Sequence, residues 1–138
     1  MKVRMNPYLV MEGNAAEAIR FYEEALQAKV VAKQTFGDMP EDPAHPLPQE
    51  AKNRVLHATL RVGETDFMFS DVFPGQKTHP GDRVTICLTS DSKELSQRFF
   101  AALSEGGTVQ TELQETFFSP AYGMLTDKFG ISFQIVTE

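Results

Sequence analysis

Apolar and polar positions along the chain form a pattern that is written twice. Met5 to Met11 is mainly apolar and runs into Glu12-Gly13-Asn14, which predicts a strand closing in a turn. Asn14-Ala15-Ala16-Glu17 then sets an N-cap residue three positions before a glutamate, the capping-box spacing, and Ala18, Ile19, Tyr22, Ala25 and Leu26 recur at helical intervals. A helix with one face on a sheet is expected. Val84 to Thr89 repeats the strand, Asp91-Ser92-Lys93-Glu94 the cap, and Leu95, Phe99, Ala102 and Leu103 the stripe, and Arg20-Phe21-Tyr22 has its counterpart in Arg98-Phe99-Phe100. Three candidate strands follow each helix. In the first half they are Ala28 to Phe36, Arg54 to Val62 and Thr65 to Phe73, the last two joined by a tight turn at Gly63-Glu64. In the second they are Thr108 to Leu113, Gly123 to Lys128 and Ile131 to Thr137, with Phe129-Gly130 at the final turn.

The predicted fold class is therefore α+β, two βαβββ modules with pseudo-twofold symmetry. Units that bury their faces only against each other share a core, so one domain is expected over residues 1–138, with modules of about 1–75 and 82–138, neither folding well alone. The modules differ most in 37–53, where Pro40, Pro43, Pro46 and Pro48 predict a loop, either a lid or a mobile excursion.

Composition narrows the setting. With 41% hydrophobic and 23% charged residues the chain is ordinary for a globular protein, and no apolar run reaches the ~18 residues of a membrane helix. A net charge of -6 without a basic face argues against nucleic acid as a partner. Met1-Lys2-Val3-Arg4-Met5 is not followed by the apolar core of a signal peptide, so cytoplasmic residence is expected. The lone cysteine, Cys87, lies in the apolar run Val84 to Leu88 and reads as a buried structural thiol.

Short motifs in order along nearly the whole chain resemble the PhnB-like branch of the vicinal oxygen chelate (glyoxalase/bleomycin-resistance/dioxygenase) superfamily. They are Pro7-Tyr8-Leu9, Gly13 to Ala18, Phe21-Tyr22, Leu56-His57-Ala58, Phe69-Ser70-Asp71, Leu103 to Gly107, Tyr122-Gly123 and Asp127 to Gly130. The resemblance implies a homodimer whose sheets curl around a cavity. Many members carry a 3-demethylubiquinone-9 3-methyltransferase label, yet no glycine-rich strand-to-helix turn with a following acidic residue is present to hold a nucleotide-type cofactor. Metal-dependent members of the superfamily draw ligands from the first and last strand of each module. Those positions fall here at or next to Pro7 and Tyr8, Phe67 to Phe69, Thr85, and Gln134, none of them His, Asp or Glu. Divalent ions want imidazole, carboxylate or thiolate donors, so no cofactor is expected, and a divalent metal, with Asp66 brought in by a shifted register, is the disfavoured alternative.

Candidate chemistry is sparse. His57 lies inside a predicted strand, whereas His45 and His79 lie in loops; its unperturbed pKa near ~6.5 suits proton transfer if it faces the cavity. The hairpin would bring Asp71 into its neighbourhood as a proton-handling pair. The competing readings are a half-buried strand histidine and a solvated strand-end acid. Tyr8, Phe67, Phe69, Thr85 and Gln134 would line the cavity. Phe117, Phe118 and Tyr122 form an aromatic cluster that either lines its mouth or seals a dimer interface. The favoured function is metal-independent binding of a small organic molecule. The alternatives are an isomerase, lyase or oxygenase using His57 and Asp71, and a methyltransferase in keeping with the family label.

Overall fold

Two-residue alternation in the paired strands decides which side of each sheet is buried. The computed structural model describes residues 2–138. It runs β1 (Tyr8–Met11), α1 (Ala15–Ala25), β2 (Lys29–Thr35), β3 (Val55–Val62) and β4 (Thr65–Asp71), then β5 (Ile86–Ser90), α2 (Lys93–Ser104), β6 (Thr108–Gln114), β7 (Tyr122–Thr126) and β8 (Ser132–Thr137). The doubled βαβββ order is the one the hydrophobic pattern predicts. The chain divides into two compact units, one ending at His79 and the other beginning at Pro80.

In the first unit the strands lie in the order β1-β4-β3-β2, with β1 parallel to β4 and the other pairs antiparallel. Ala58 stands opposite Phe69 and Leu60 opposite Phe67, and all four are buried. Helix α1 covers this face of β3 and β4. Its Tyr22 is 0% exposed and lies on the rings of Phe67 and Phe69, with centroids 5.1 and 5.7 Å away. Burying each such ring contributes about 1.5–3 kcal/mol, so this cluster supplies much of the unit's core. The tight turn between β3 and β4 needs a residue with positive φ, and Gly63 supplies it at +54°.

The second unit repeats the plan in the order β5-β8-β7-β6. Helix α2 packs on β7 and β8 and buries Phe99, Phe100 and Leu103, while Leu125, Phe133 and Ile135 are buried on the strands.

Several local expectations are corrected. Asn14 is the N-cap of α1 by position but makes no side-chain cap; the carboxylate of Asp71 takes its place. In α2 a side-chain cap does form, but one residue later than the capping-box spacing of Asp91 and Glu94 predicts: the N-cap is Ser92, which accepts from the Leu95 N–H at 3.2 Å. The loop 37–53 is shorter than its prolines suggest. A 3-10 turn at Phe36–Asp38 and another at Gln49–Ala51 fasten its ends, Gly37 N–H donates to the Lys52 carbonyl at 3.0 Å, and Phe36 stacks on Phe73 at 4.8 Å. Cys87 is exposed rather than buried, because the odd positions of β5 face away from α2.

Close packing at Gly123 gives a direct check. A Cβ there would meet Phe100 Cε2 at 2.6 Å and the Thr111 carbonyl oxygen at 3.0 Å. Gly123→Ala is expected to destabilise the protein by about 1–3 kcal/mol, the ordinary cost of overpacking, as a lower urea midpoint at unchanged slope.

Candidate functional site

The side of each sheet that the helix does not cover carries the candidate chemistry. In the first unit the alternation that buries Phe67, Phe69 and Asp71 turns Asp66, Met68 and Ser70 to the open side. Antiparallel partners share a face, and with Ala58 opposite Phe69 the open side of β3 is that of His57, Thr59 and Arg61. Parallel pairing of Tyr8 with Met68 adds Tyr8 from β1.

His57 is half-buried there and hydrogen-bonded at both ring nitrogens. The Tyr8 hydroxyl lies 3.2 Å from Nδ1 and the Thr59 hydroxyl 3.3 Å from Nε2, with the Tyr8 and His57 rings tilted at 37° and 5.7 Å apart. Hydroxyls donate or accept, so this pair accommodates either neutral tautomer and the imidazolium. The orientation of the His57 ring is thus already set by its two hydroxyl partners.

Asp71 is elsewhere. Phe67, Phe69 and Asp71, expected on the ligand side, all lie on the helix side, and the structure does not bring Asp71 to His57. Its buried carboxylate accepts three backbone hydrogen bonds, from Gly13 at 2.8 Å and Ala15 at 3.0 Å through Oδ1, and from Val55 at 2.8 Å through Oδ2. Arg54 lies over the same turn: it donates to the Val72 carbonyl at 2.9 Å, and a Cβ on Gly13 would come within 2.9 Å of its guanidinium. These contacts join the end of β4 and the start of β3 to the first turn of α1.

The second unit has its own hydrogen-bonded set. Tyr122 donates to Gln134 Oε1 at 2.8 Å, and Gln134 Nε2 donates to the Thr85 hydroxyl at 2.9 Å. Tyr122 precedes the buried pair Gly123 and Ile135 just as His57 precedes Ala58 and Phe69, so the two rings hold corresponding places. Phe118 packs edge-on against Tyr122 at 5.0 Å, and Phe117 against Phe118 at 5.2 Å. Phe117 is wholly exposed, at 102% relative accessibility. The loop that carries it is firmly built: Thr116 Oγ1 accepts from the N–H groups of Phe118 and Ser119, and buried Ser119 donates to the Ala121 and Thr137 carbonyls.

Two open-face residues are not among the cavity residues that the sequence singles out. Met68 is the register partner of Tyr8, and Cys87 that of Gln134. Strand parity was the available signal: if Phe67 and Phe69 are core, Met68 is not. At the positions where the resemblance would put metal ligands, the open-face groups are then Tyr8, Met68, Cys87 and Gln134, with Thr85 beside them. Phenol, thioether, amide and alcohol do not fit a divalent ion, and a single thiol does not supply the missing charge. Among the described residues no three of His, Cys, Asp and Glu gather to hold a metal. Asp66 is engaged by Arg61, at 2.6 Å, and by Arg4. Its carboxyl is held below the ordinary carboxylate value, first by the Arg61 hydrogen bond, against a raising effect of burial, with Arg4 adding to the lowering.

The family model described as 3-demethylubiquinone-9 3-methyltransferase matches residues 3–136. The chain belongs to this family. Protein YjdN of Escherichia coli is 35% identical over 138 residues, covering 95% of this chain and 92% of its own. Among solved structures, protein PA1353 from Pseudomonas aeruginosa superposes with a TM-score of 0.86 at 36% identity, over 99% of this chain and 98% of that one. The PhnB protein from Bacillus cereus, titled a putative 3-demethylubiquinone-9 3-methyltransferase, superposes with a TM-score of 0.79 at 25% identity, over 99% and 100%. A glyoxylase/bleomycin resistance protein/dioxygenase domain from Frankia shares the fold, with a TM-score of 0.68 at 14% identity over 99% and 98%. The chain is thus PhnB-like, and its fold is that of a glyoxylase/bleomycin resistance protein/dioxygenase domain. No helix is long and apolar enough to cross a membrane.

The different duties of Asp71 and His57 separate in stability measurements. Removing a carboxylate that satisfies three N–H donors is expected to cost about 3–5 kcal/mol in Asp71→Ala, with Asp71→Asn intermediate. His57→Ala, on the open face, is expected to cost less than about 1.5 kcal/mol in the same urea titration.

Proposed function

We propose that this PhnB-like protein binds a small organic molecule on the open faces of its sheets, as a homodimer and without a divalent metal at the superfamily's ligand positions. The observation that carries the reading is the hydrogen-bonded pair Tyr8 and His57, with Thr59 behind the ring, displayed on a face that no helix covers. Neutral groups of this kind orient a ligand through hydrogen bonds, and the neighbouring Met68 and Val10 side chains give it apolar contact. In the second unit Gln134 keeps one amide hydrogen beyond its bond to Thr85, a donor for a ligand carbonyl. The firmly held, fully exposed Phe117 supports the dimer, since a rigid aromatic anchor loses little entropy when a partner covers it.

Acid or base chemistry at His57 is the second reading, favoured by its phenol partner. Tyr8 is placed to return a proton that His57 takes or gives, so no carboxylate is required. The methyltransferase label is the less favoured reading. The turn Glu12-Gly13-Asn14 that leads into α1 has the N–H groups of Gly13 and Ala15 already taken by Asp71, so that turn does not offer them to a nucleotide-type cofactor.

Elemental analysis of the purified protein, paired with thermal denaturation in divalent metal salts, tests the metal-free reading. Less than a tenth of an equivalent of metal and no rise in Tm are expected; a stoichiometric ion, or a large metal-dependent rise, would overturn it. Calorimetry with millimolar S-adenosylmethionine is expected to show no binding heat, and a saturable isotherm would restore the methyltransferase reading.

A further inference from the structure

At one end of the first unit's open face the sheet carries a row of charge. Lys29 on β2 is the register partner of Arg61 on β3, and Arg61 is the partner of Asp66 on β4. The Arg4 guanidinium closes the row from beyond β1 onto Asp66. Two arginines thus share one carboxylate with Lys29 beside them, in a chain whose net charge is -6. Asp66 takes the Nε of Arg61, at 2.6 Å, and one Nη of Arg4; among the described residues the two Nη groups of Arg61 and the Nζ of Lys29 have no partner. Like charges directly opposite on neighbouring strands are destabilising, and of the pair Lys29 and Arg61 only Arg61 has a carboxylate partner among the described residues.

Along β3 the same face runs from Arg61 through Thr59 to His57. Alternate residues on a strand lie about 7 Å apart, so the cationic end sits some two such steps from the Tyr8 and His57 pair. One molecule of modest length spans both.

We propose that the ligand of this face is a small organic oxyanion, its charged group held by Lys29 and the free fork of Arg61 and its body directed along Thr59 towards His57 and Tyr8. This rests on the small-molecule reading above and names the ligand's charge. A guanidinium whose Nη groups are free receives a planar carboxylate or a phosphate with two parallel hydrogen bonds, and the ammonium adds a second positive contact. Asp66 then acts as a positioning residue, fixing Arg61 through Nε while leaving the fork clear.

Calorimetry on the full chain with benzoate, phenyl phosphate and neutral benzyl alcohol tests the assignment. Either anion is expected to bind at least tenfold more tightly than the alcohol, and a preference between them identifies the head group. K29Q and R61Q should each weaken anion binding about tenfold, without changing the response to benzyl alcohol, whereas R98Q, a cation removed from α2, should change neither. K29Q is also expected to keep or raise Tm, because it relieves a like-charge pair. Failure of both anions to bind, equal binding of alcohol and anions, or equal weakening by R98Q would each overturn the proposal. Equal binding that H57A abolishes would leave the small-molecule reading standing. Anion binding that needs Lys29 and Arg61 but ignores H57A would support the anion site, since these short probes do not span the two steps to His57.

Discussion

The carboxylate of Asp71 is the constraint on which the first unit depends. Three backbone N–H groups from two separate places in the chain converge on its two oxygens, at the start of α1 and at the start of β3. A buried N–H without a partner costs about 1–3 kcal/mol, so satisfying three at once fixes where the helix begins relative to the sheet. That fixed start sets Tyr22 over Phe67 and Phe69, and the same strand pairing turns His57 the other way. The second unit solves the corresponding problem with neutral groups: Thr137, at the end of its last strand, hydrogen-bonds Ser96 of α2 and the Ala121 carbonyl, and Ser119 accepts the Thr137 N–H.

This division of labour between faces determines what chemistry is available. Carboxylates in the first unit's sheet are occupied, one by backbone and the other by arginines, and the open sides present a histidine, tyrosines, an amide and hydroxyls. Such a set does not suit a divalent metal. Membership of the PhnB-like family therefore carries the scaffold to this chain, while chemistry has to be argued from the side chains that the scaffold displays.

Much of the scaffold was legible in the order of residues. Alternation, helical stripes and the glycine turns located all eight strands and both helices, because each is a short-range consequence of period and turn geometry. Facing was less legible. Asp71 reads as a strand-end acid beside a histidine, and only the pairing of Ala58 with Phe69 shows that one residue of offset separates the two sides. The same parity moved Phe67 and Phe69 to the core and brought Met68 and Cys87 into view. The cap of α1 was misassigned for a related reason: Asn14 has the right chemistry in the right place, but a charged acceptor from a distant strand outcompetes it. Contacts between residues so far apart in the chain leave no trace in local spacing.

The central claim is that ligand recognition belongs to the open faces and structural stabilisation to the helix-covered ones. Amide chemical-shift mapping with a diverse set of small organic molecules tests it most directly. Saturable shifts are expected at Tyr8, His57, Thr59 and Met68, or at Tyr122, Gln134 and Thr85, with Tyr22, Phe69 and Asp71 unmoved. Shifts concentrated instead around Asp71 and the start of α1 would contradict the account.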